Sequence, residues 1–183
     1  LVEKGWVQRR QGVGVLVLMR PFDYPLNAQA RFSQNLLDQG SHPTSERLLA
    51  VLRPASGHVA DALGITEGDN VIHLRTRRRV NGVALCLIDH YFADRQLWPL
   101  LQEFNSGSLH DFLRDRAGLE LKRTQTRISA RRAQVKESRW LEIPTMAPLL
   151  CVRTLNHRDG EINATEYSVS LNRADMIEFT MEH

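Results

Sequence analysis

The sequence predicts an α+β fold, an antiparallel sheet with flanking helices, on three observations. Strand-like runs meet across Asn81-Gly82 and again across Asp159-Gly160, dipeptides that supply the positive φ angles of tight hairpins. Between and around them lie short segments with apolar residues three and four apart, three of them opened by a serine cap and closed by glycine. No fixed-period repeat or low-complexity tract interrupts the pattern.

Along the chain, residues 2–17 alternate basic and apolar pieces around Gly5, Gly12 and Gly14, which suits a hairpin better than a helix. Pro21 and Pro25 then mark residues 19–25 as an extended linker and a domain boundary. Phe32, Leu36 and Leu37 recur at helical spacing, with Ser33 as N-cap and Gly40 at the stop position. Residues 45–52 read as a strand, and Ser56 opens a short helix whose face is Val59, Ala60 and Leu63 before Gly64. The hairpin at residues 71–92 follows, then a helix through Trp98, Leu100, Leu101 and Phe104. Ser108 caps the next helix, with Asp111 at capping-box distance, Leu109, Phe112 and Leu113 inward and Gly118 at the end. Residues 120–134 alternate through Leu121, Thr124, Ile128 and Ala130, a strand with arginines on its wet side. A short helix at 137–141 and strands at 149–155 and 162–171 complete the unit.

With 183 residues, 42% hydrophobic and 25% charged, the chain can bury a core and is not a disordered polymer. Its longest apolar run, residues 13–19, contains Gly14 and ends at Arg20-Pro21, short of the ~20 residues a membrane helix needs. The absence of a leader pattern gives a cytoplasmic expectation, and the opening residues read as an interior stretch of a longer protein. Cys86 and Cys151 are expected to be buried thiols. Net charge is only +3, so the clustering of arginine says more than its total: Arg9-Arg10, Arg75 with Arg77 to Arg79, and Arg123, Arg127, Arg131 and Arg132.

Neither a metal site nor a cofactor is expected. The seven histidines share no HExxH or CxxC frame, and Gly12-Val13-Gly14 lacks the rest of a dinucleotide fingerprint. Asp89 and His90 point to opposite faces of a strand and form no dyad. The arginine hairpin is more informative. A two-residue turn sets Val80 opposite Val83, Arg79 opposite Ala84, Arg77 opposite Cys86 and Arg75 opposite Ile88. Arg75 and Arg77 then share a face with apolar partners, which is costly unless an anion or a carboxylate compensates them. Guanidinium forks suit phosphate or phosphonate oxygens; the alternatives are a wet face or pairing with Glu166 or another acid. Ser108, after Gly107, offers helix N–H groups to an anion, although as an ordinary cap it needs none. Glu166 shares a strand face with Ser168, to meet a ligand ammonium or neutralise an arginine.

These motifs add up to a resemblance. Gly5-Trp-Val-Gln-Arg-Arg-Gln-Gly-Val-Gly14 resembles the wing that ends the winged helix-turn-helix domain of GntR-family bacterial repressors. Residues 26–183 resemble the UTRA effector domain of the HutC subfamily, through Arg31-Phe-Ser33 ahead of Gly40, Leu63-Gly64 with Gly68, the basic strand ending Asn81-Gly82, Gly107-Ser-Leu109, Glu166-Tyr167-Ser168 and Asn172-Arg173-Ala-Asp175. The resemblance implies a chorismate-lyase-like fold, a homodimer, and a small anionic effector that alters the operator DNA affinity of attached winged helices. It implies residues 1–18 as the remnant wing, with Arg9, Arg10 and Gln11 at the DNA. It assigns the effector's anionic group to Arg75, Arg77, Ser108 and the Phe32-Ser33 turn, with Glu166 as polar partner. Ala84 and Ile88 stand where relatives often carry proline and an acid, which favours a small, largely anionic ligand such as a phosphonate or phosphate ester. The competing readings are a lyase-type enzyme on the same fold and a ligand-free dimerisation module.

Overall fold

A computed structural model describes residues 21–26 and 40–181 together with the backbone of 7–10 and 14–17. The helix expected around Phe32, Leu36 and Leu37 lies outside the described residues, as do Ser33 and Gln11. Strands β1 (Val7–Arg10) and β2 (Gly14–Val17) form an antiparallel pair, with Arg9 opposite Val15 and Arg10 opposite Gly14.

Six strands make the main sheet: β4 (Pro43–Pro54), β5 (Asn70–Val80), β6 (Val83–Phe92), β7 (Lys122–Arg132), β8 (Pro148–His157) and β9 (Glu166–Arg173). Their order is β4-β5-β6-β9-β8-β7, and every neighbouring pair is antiparallel. The β5–β6 turn has Asn81 at φ 51° and Gly82 at φ 82°, the left-handed pair that the Asn-Gly dipeptide accommodates without strain. The second hairpin is longer than its Asp-Gly pair suggests: β9 begins at Glu166, and Ile162 sits in the connecting loop, 95% exposed.

A second small sheet was not foreseen. Strand β3 (Phe22–Pro25), which the prolines mark only as extended, pairs in parallel with β10 (Ile177–Thr180). Parallel pairing is possible because the fold, not a tight turn, brings these distant segments together. Tyr24 packs there with Val80, Leu85, Met176 and Ile177.

Helices α1 (Gly57–Leu63) and α4 (Val135–Leu141) cover one face of the main sheet, while α2 (Trp98–Glu103) and α3 (Leu109–Ala117) cover the other. On the first face, Val59, Ala60 and Leu63 of α1 pack on Val71 and Tyr167, and Leu141 of α4 packs with Leu87, Leu149 and Leu171. On the second, Leu101, Phe104, Leu109 and Leu113 pack on Ile72, Leu74 and Phe92. Local chemistry sets the helix ends. Ser108 Oγ accepts from the Asp111 N–H at 3.3 Å, Gly118 takes the left-handed C-cap, and Gln134 with Glu137 closes a capping box on α4.

Two sequence expectations need correction. Strand β7 is the sheet edge and is exposed on most positions, so Arg123 and Arg131 are half-buried while Ile128 is 41% exposed; its arginines do not mark a single wet side. The β5–β6 register also shifts between Arg78 and Arg79, because Arg79 faces Ala84 while Arg78 faces Cys86, leaving Leu85 as the extra residue of a β-bulge. Beyond the bulge Arg77 faces Leu87 and Arg75 faces Asp89, one residue away from the pairing a regular hairpin dictates.

Helix α3 is held chiefly by Leu109 and Leu113 in the apolar cluster. Leu113→Ala is expected to cost ~2–5 kcal/mol in urea unfolding. A loss under ~1 kcal/mol would show that this cluster does not anchor the helix.

Candidate functional site

Because side chains alternate along a strand, the bulge decides which of them lie together. One row across the sheet runs Ile72, Phe92, Glu166, Asn156 and Arg123; the next runs Leu74, His90, Ser168, Thr154 and Thr126. Two further rows add Thr76 and Ser170, then Arg78, Cys86 and Asn172. These residues form a polar belt on the α2–α3 face, between the apolar cluster under those helices and the cluster around Tyr24.

Glu166 is the centre of the belt. It is fully buried and accepts from His90 Nδ1 at 2.6 Å, His110 Nε2 at 2.7 Å and Asn156 Nδ2 at 2.7 Å. Burial alone would raise its pKa, but the charge and hydrogen bonds of His110 and His90 outweigh that and hold it well below the usual carboxylate range. Burial, in contrast, lowers the pKa of His90 against the pull of Glu166. A neutral His90 bonded to a carboxylate carries its proton on Nδ1, so Nε2 is the acceptor for the Thr76 hydroxyl at 3.3 Å. His110 differs: its side chain is 46% exposed, and it sits two residues beyond the Ser108 cap.

Cations gather around this centre. Arg78 is close enough to His90 to oppose its protonation, and Arg123 donates to the Tyr24 hydroxyl at 3.1 Å while lying 5.9 Å from that ring. Arg123 Nη1 and Thr126 Oγ1 are buried with no hydrogen-bond partner among the described residues. The start of α3 approaches the same strands, since the Gly107 N–H donates to Ser45 O at 3.2 Å and Ser45 is the cross-strand partner of Arg78. Burial pushes the neighbouring Cys86 thiol up to about 11, an unreactive state.

Of the residues singled out in the sequence, Ser108 and Glu166 thus belong to one face through α3, and Phe32 and Ser33 lie outside the described residues. Arg75 and Arg77 point to the opposite face, and neither is uncompensated. Arg75 Nε and Nη2 bond Asp89 at 2.7 and 3.0 Å, and His73 Nε2 meets the same carboxylate at 2.6 Å. Arg77 Nε bonds Glu46 at 2.8 Å and its Nη1 bonds Trp140 O at 3.2 Å, while Arg79 pairs with Glu142. The expectation of apolar partners failed because a regular hairpin was assumed where the bulge slips the register by one, and because Glu46 and Glu142 come from distant segments. Sequence reasoning missed His90, His110, Asn156, Arg78 and Arg123. The histidines were weighed only as metal ligands and, for His90, as a dyad partner of Asp89, and the β6–β9 register that puts His90 on the side of Glu166 is not written in either strand alone.

Known proteins can now be set beside this geometry. The UTRA domain matches residues 38–178. The chain belongs to the UTRA family. It is 85% identical over 183 residues to the probable transcriptional regulator PhnF of Escherichia coli (strain K12), spanning 100% of this chain and 76% of that protein. It is 30% identical over 193 residues to an uncharacterized HTH-type transcriptional regulator of Rhizobium meliloti (strain 1021), of which it spans 75%. Among solved structures, a PhnF C-terminal domain superimposes with TM-score 0.74 at 82% identity, covering 86% of this chain and 99% of that one. PhnF from Mycobacterium smegmatis shares the fold, with TM-score 0.83 at 24% identity over 100% of this chain and 80% of that one. This UTRA domain is therefore part of a transcriptional regulator and not an enzyme. No helix among the described residues is long and apolar enough to cross a membrane.

The lowered pKa of Glu166 has a thermodynamic consequence. A depressed carboxylate stabilises the fold above its unfolded pKa of ~4.3, and that contribution is lost as pH falls through the folded value. Glu166→Gln is expected to cost at least ~2 kcal/mol at pH 7 in urea unfolding and to flatten the loss of stability below pH ~4. An unchanged acid limb would show that the carboxylate is not charged in the folded protein.

Proposed function

We propose that the polar belt is the effector site, and that it takes a small organic anion, a phosphonate or phosphate ester. One observation carries this reading: the face that holds Glu166 also collects Arg78, Arg123, His110 and the N-terminus of α3, while Arg75, Arg77 and Arg79 on the other face are each occupied by an acid. Glu166 itself accepts three hydrogen bonds with zero exposure, so it orients His110 toward the ligand instead of binding an ammonium. Arg78 and the α3 N-terminus, with Ser108, hold the anionic oxygens. The Phe32-Ser33 turn adds backbone donors, as the resemblance implies. The name PhnF borne by the E. coli relative accords with a phosphonate ligand.

The domain works as a homodimer in the cytoplasm, residues 26–183 forming the effector unit, 19–25 the join and 1–18 the wing. In the wing Arg9, Arg10 and Gln11 contact operator DNA, chiefly its phosphate backbone. The effector shifts operator affinity by preferring one arrangement of the two wings. A ligand-free dimerisation role for the arginines is disfavoured, since their acids lie within the same protomer.

Calorimetric titration with methylphosphonate, 2-aminoethylphosphonate, inorganic phosphate and urocanate tests the site. A phosphonate should bind saturably, at least tenfold more weakly after Arg78→Ala or Ser108→Ala and unchanged after Arg75→Ala. A flat response to the whole panel, or loss of binding in Arg75→Ala alone, would overturn the assignment.

A further inference from the structure

The opposite face of the sheet holds a cleft of about 180 Å³ between α1 and α4. Its floor on the sheet is apolar, made by Leu87, Val169 and Leu171, and Tyr91 of β6 and Trp140 of α4 also line it. Tyr91 is fixed by stacking on His73 at 4.5 Å, and Trp140 is 39% exposed with Arg77 5.7 Å from its ring. Cavities of about 150 Å³ hold one benzene ring, so this space admits a single ring with a small substituent and excludes a nucleotide.

The charge at its rim is unbalanced. Two of its cations are cancelled on the spot: Arg75 by Asp89, and Arg131 by Glu137, whose oxygens take Nη1 and Nη2 at 2.7 and 2.6 Å. Those two carboxylates are therefore neutralised by their own arginines, and each accepts a third hydrogen bond, Asp89 from His73 and Glu137 from the Gln134 N–H. Lys136, which also lines the cleft, has no acid partner among the described residues. One strand beyond Val169 lies Arg153, and directly across from it on β7 lies Arg127, both exposed and without an ion pair among the described residues. At ~4.8 Å between strands Arg153 starts roughly 5 Å from the floor, within reach of its own side chain, and Arg127 stands roughly 10 Å away, behind it. Like charges directly opposite on a sheet destabilise it, so this pair is a cost that the fold leaves uncompensated.

We propose that this cleft is a second ligand site, distinct from the belt, for a small aromatic acid: the ring lies on the apolar floor between Tyr91 and Trp140, and the anionic group meets Lys136 and Arg153, with the charge of Arg127 behind them. The two sites use opposite faces of one sheet. Ligands at the two sites are coupled only through the strands they share, β5, β6, β8 and β9.

Benzoate, with benzyl alcohol as the neutral isostere, is the probe, and the readout is the indole N–H resonance of Trp140, assigned with Trp140→Phe. Benzoate should shift this signal saturably and benzyl alcohol should not. Affinity should fall at least tenfold in Lys136→Met and in the double variant Arg127→Gln/Arg153→Gln, whose melting temperature should hold or rise because a like-charge pair is relieved. Ser108→Ala, which alters the belt, should leave benzoate binding untouched. No saturation, an equal response to benzyl alcohol, full affinity in Lys136→Met, or loss of binding in Ser108→Ala would each overturn the second site, and none bears on phosphonate binding at the belt.

Discussion

One extra residue in one strand decides the chemistry of both faces of this domain. Leu85, inserted opposite the Arg78–Arg79 step, slips the β5–β6 ladder by one and puts Asp89, not Ile88, beside Arg75. It also sets Arg78 in the row of Cys86 and Asn172, on the face of Glu166. With a regular hairpin Asp89 would lie opposite Leu74, and the cations of β5 would be shared differently between the two sides.

Given that register, the buried carboxylate of Glu166 gathers the belt. It ties β9 to β6 through His90, to β8 through Asn156 and to α3 through His110. Each bond compensates part of a desolvation cost that an unpaired carboxylate could not bear. The result is a rigid arrangement in which His110 alone of the three donors is half open to solvent. A group held on one side by a buried acid and exposed on the other is suited to report an anion arriving from outside. The start of α3, fastened to β4 through Gly107 and to the core through Leu113, keeps that geometry in place.

The sheet and its helices were legible because local signals agreed with the fold. Asn81-Gly82 forms the expected turn, Ser108 and Gly118 bound α3, and the strand alternation across Glu166 and Ser168 holds. What the sequence hid was non-local. A bulge leaves no composition signal distinct from a hairpin, so the register of Arg75 and Arg77 was read one residue off. The acids that satisfy the arginines of β5 include Glu46, 31 residues from Arg77, and Glu142, 63 residues from Arg79. The parallel β3–β10 pair joins segments more than 150 residues apart, with no turn to announce it. His110 and Asn156 became visible as partners of Glu166 only when helix and strand were packed together.

The imidazole nitrogen resonances of a 15N-histidine-labelled sample, followed through a titration with methylphosphonate, test most directly whether the belt is where the effector binds. His110 should move strongly, His90 should move with it through Glu166, and His73, bonded to Asp89 on the far face, should stay put. Movement of His73 with His90 and His110 unchanged would contradict the account and return the effector to the arginine face.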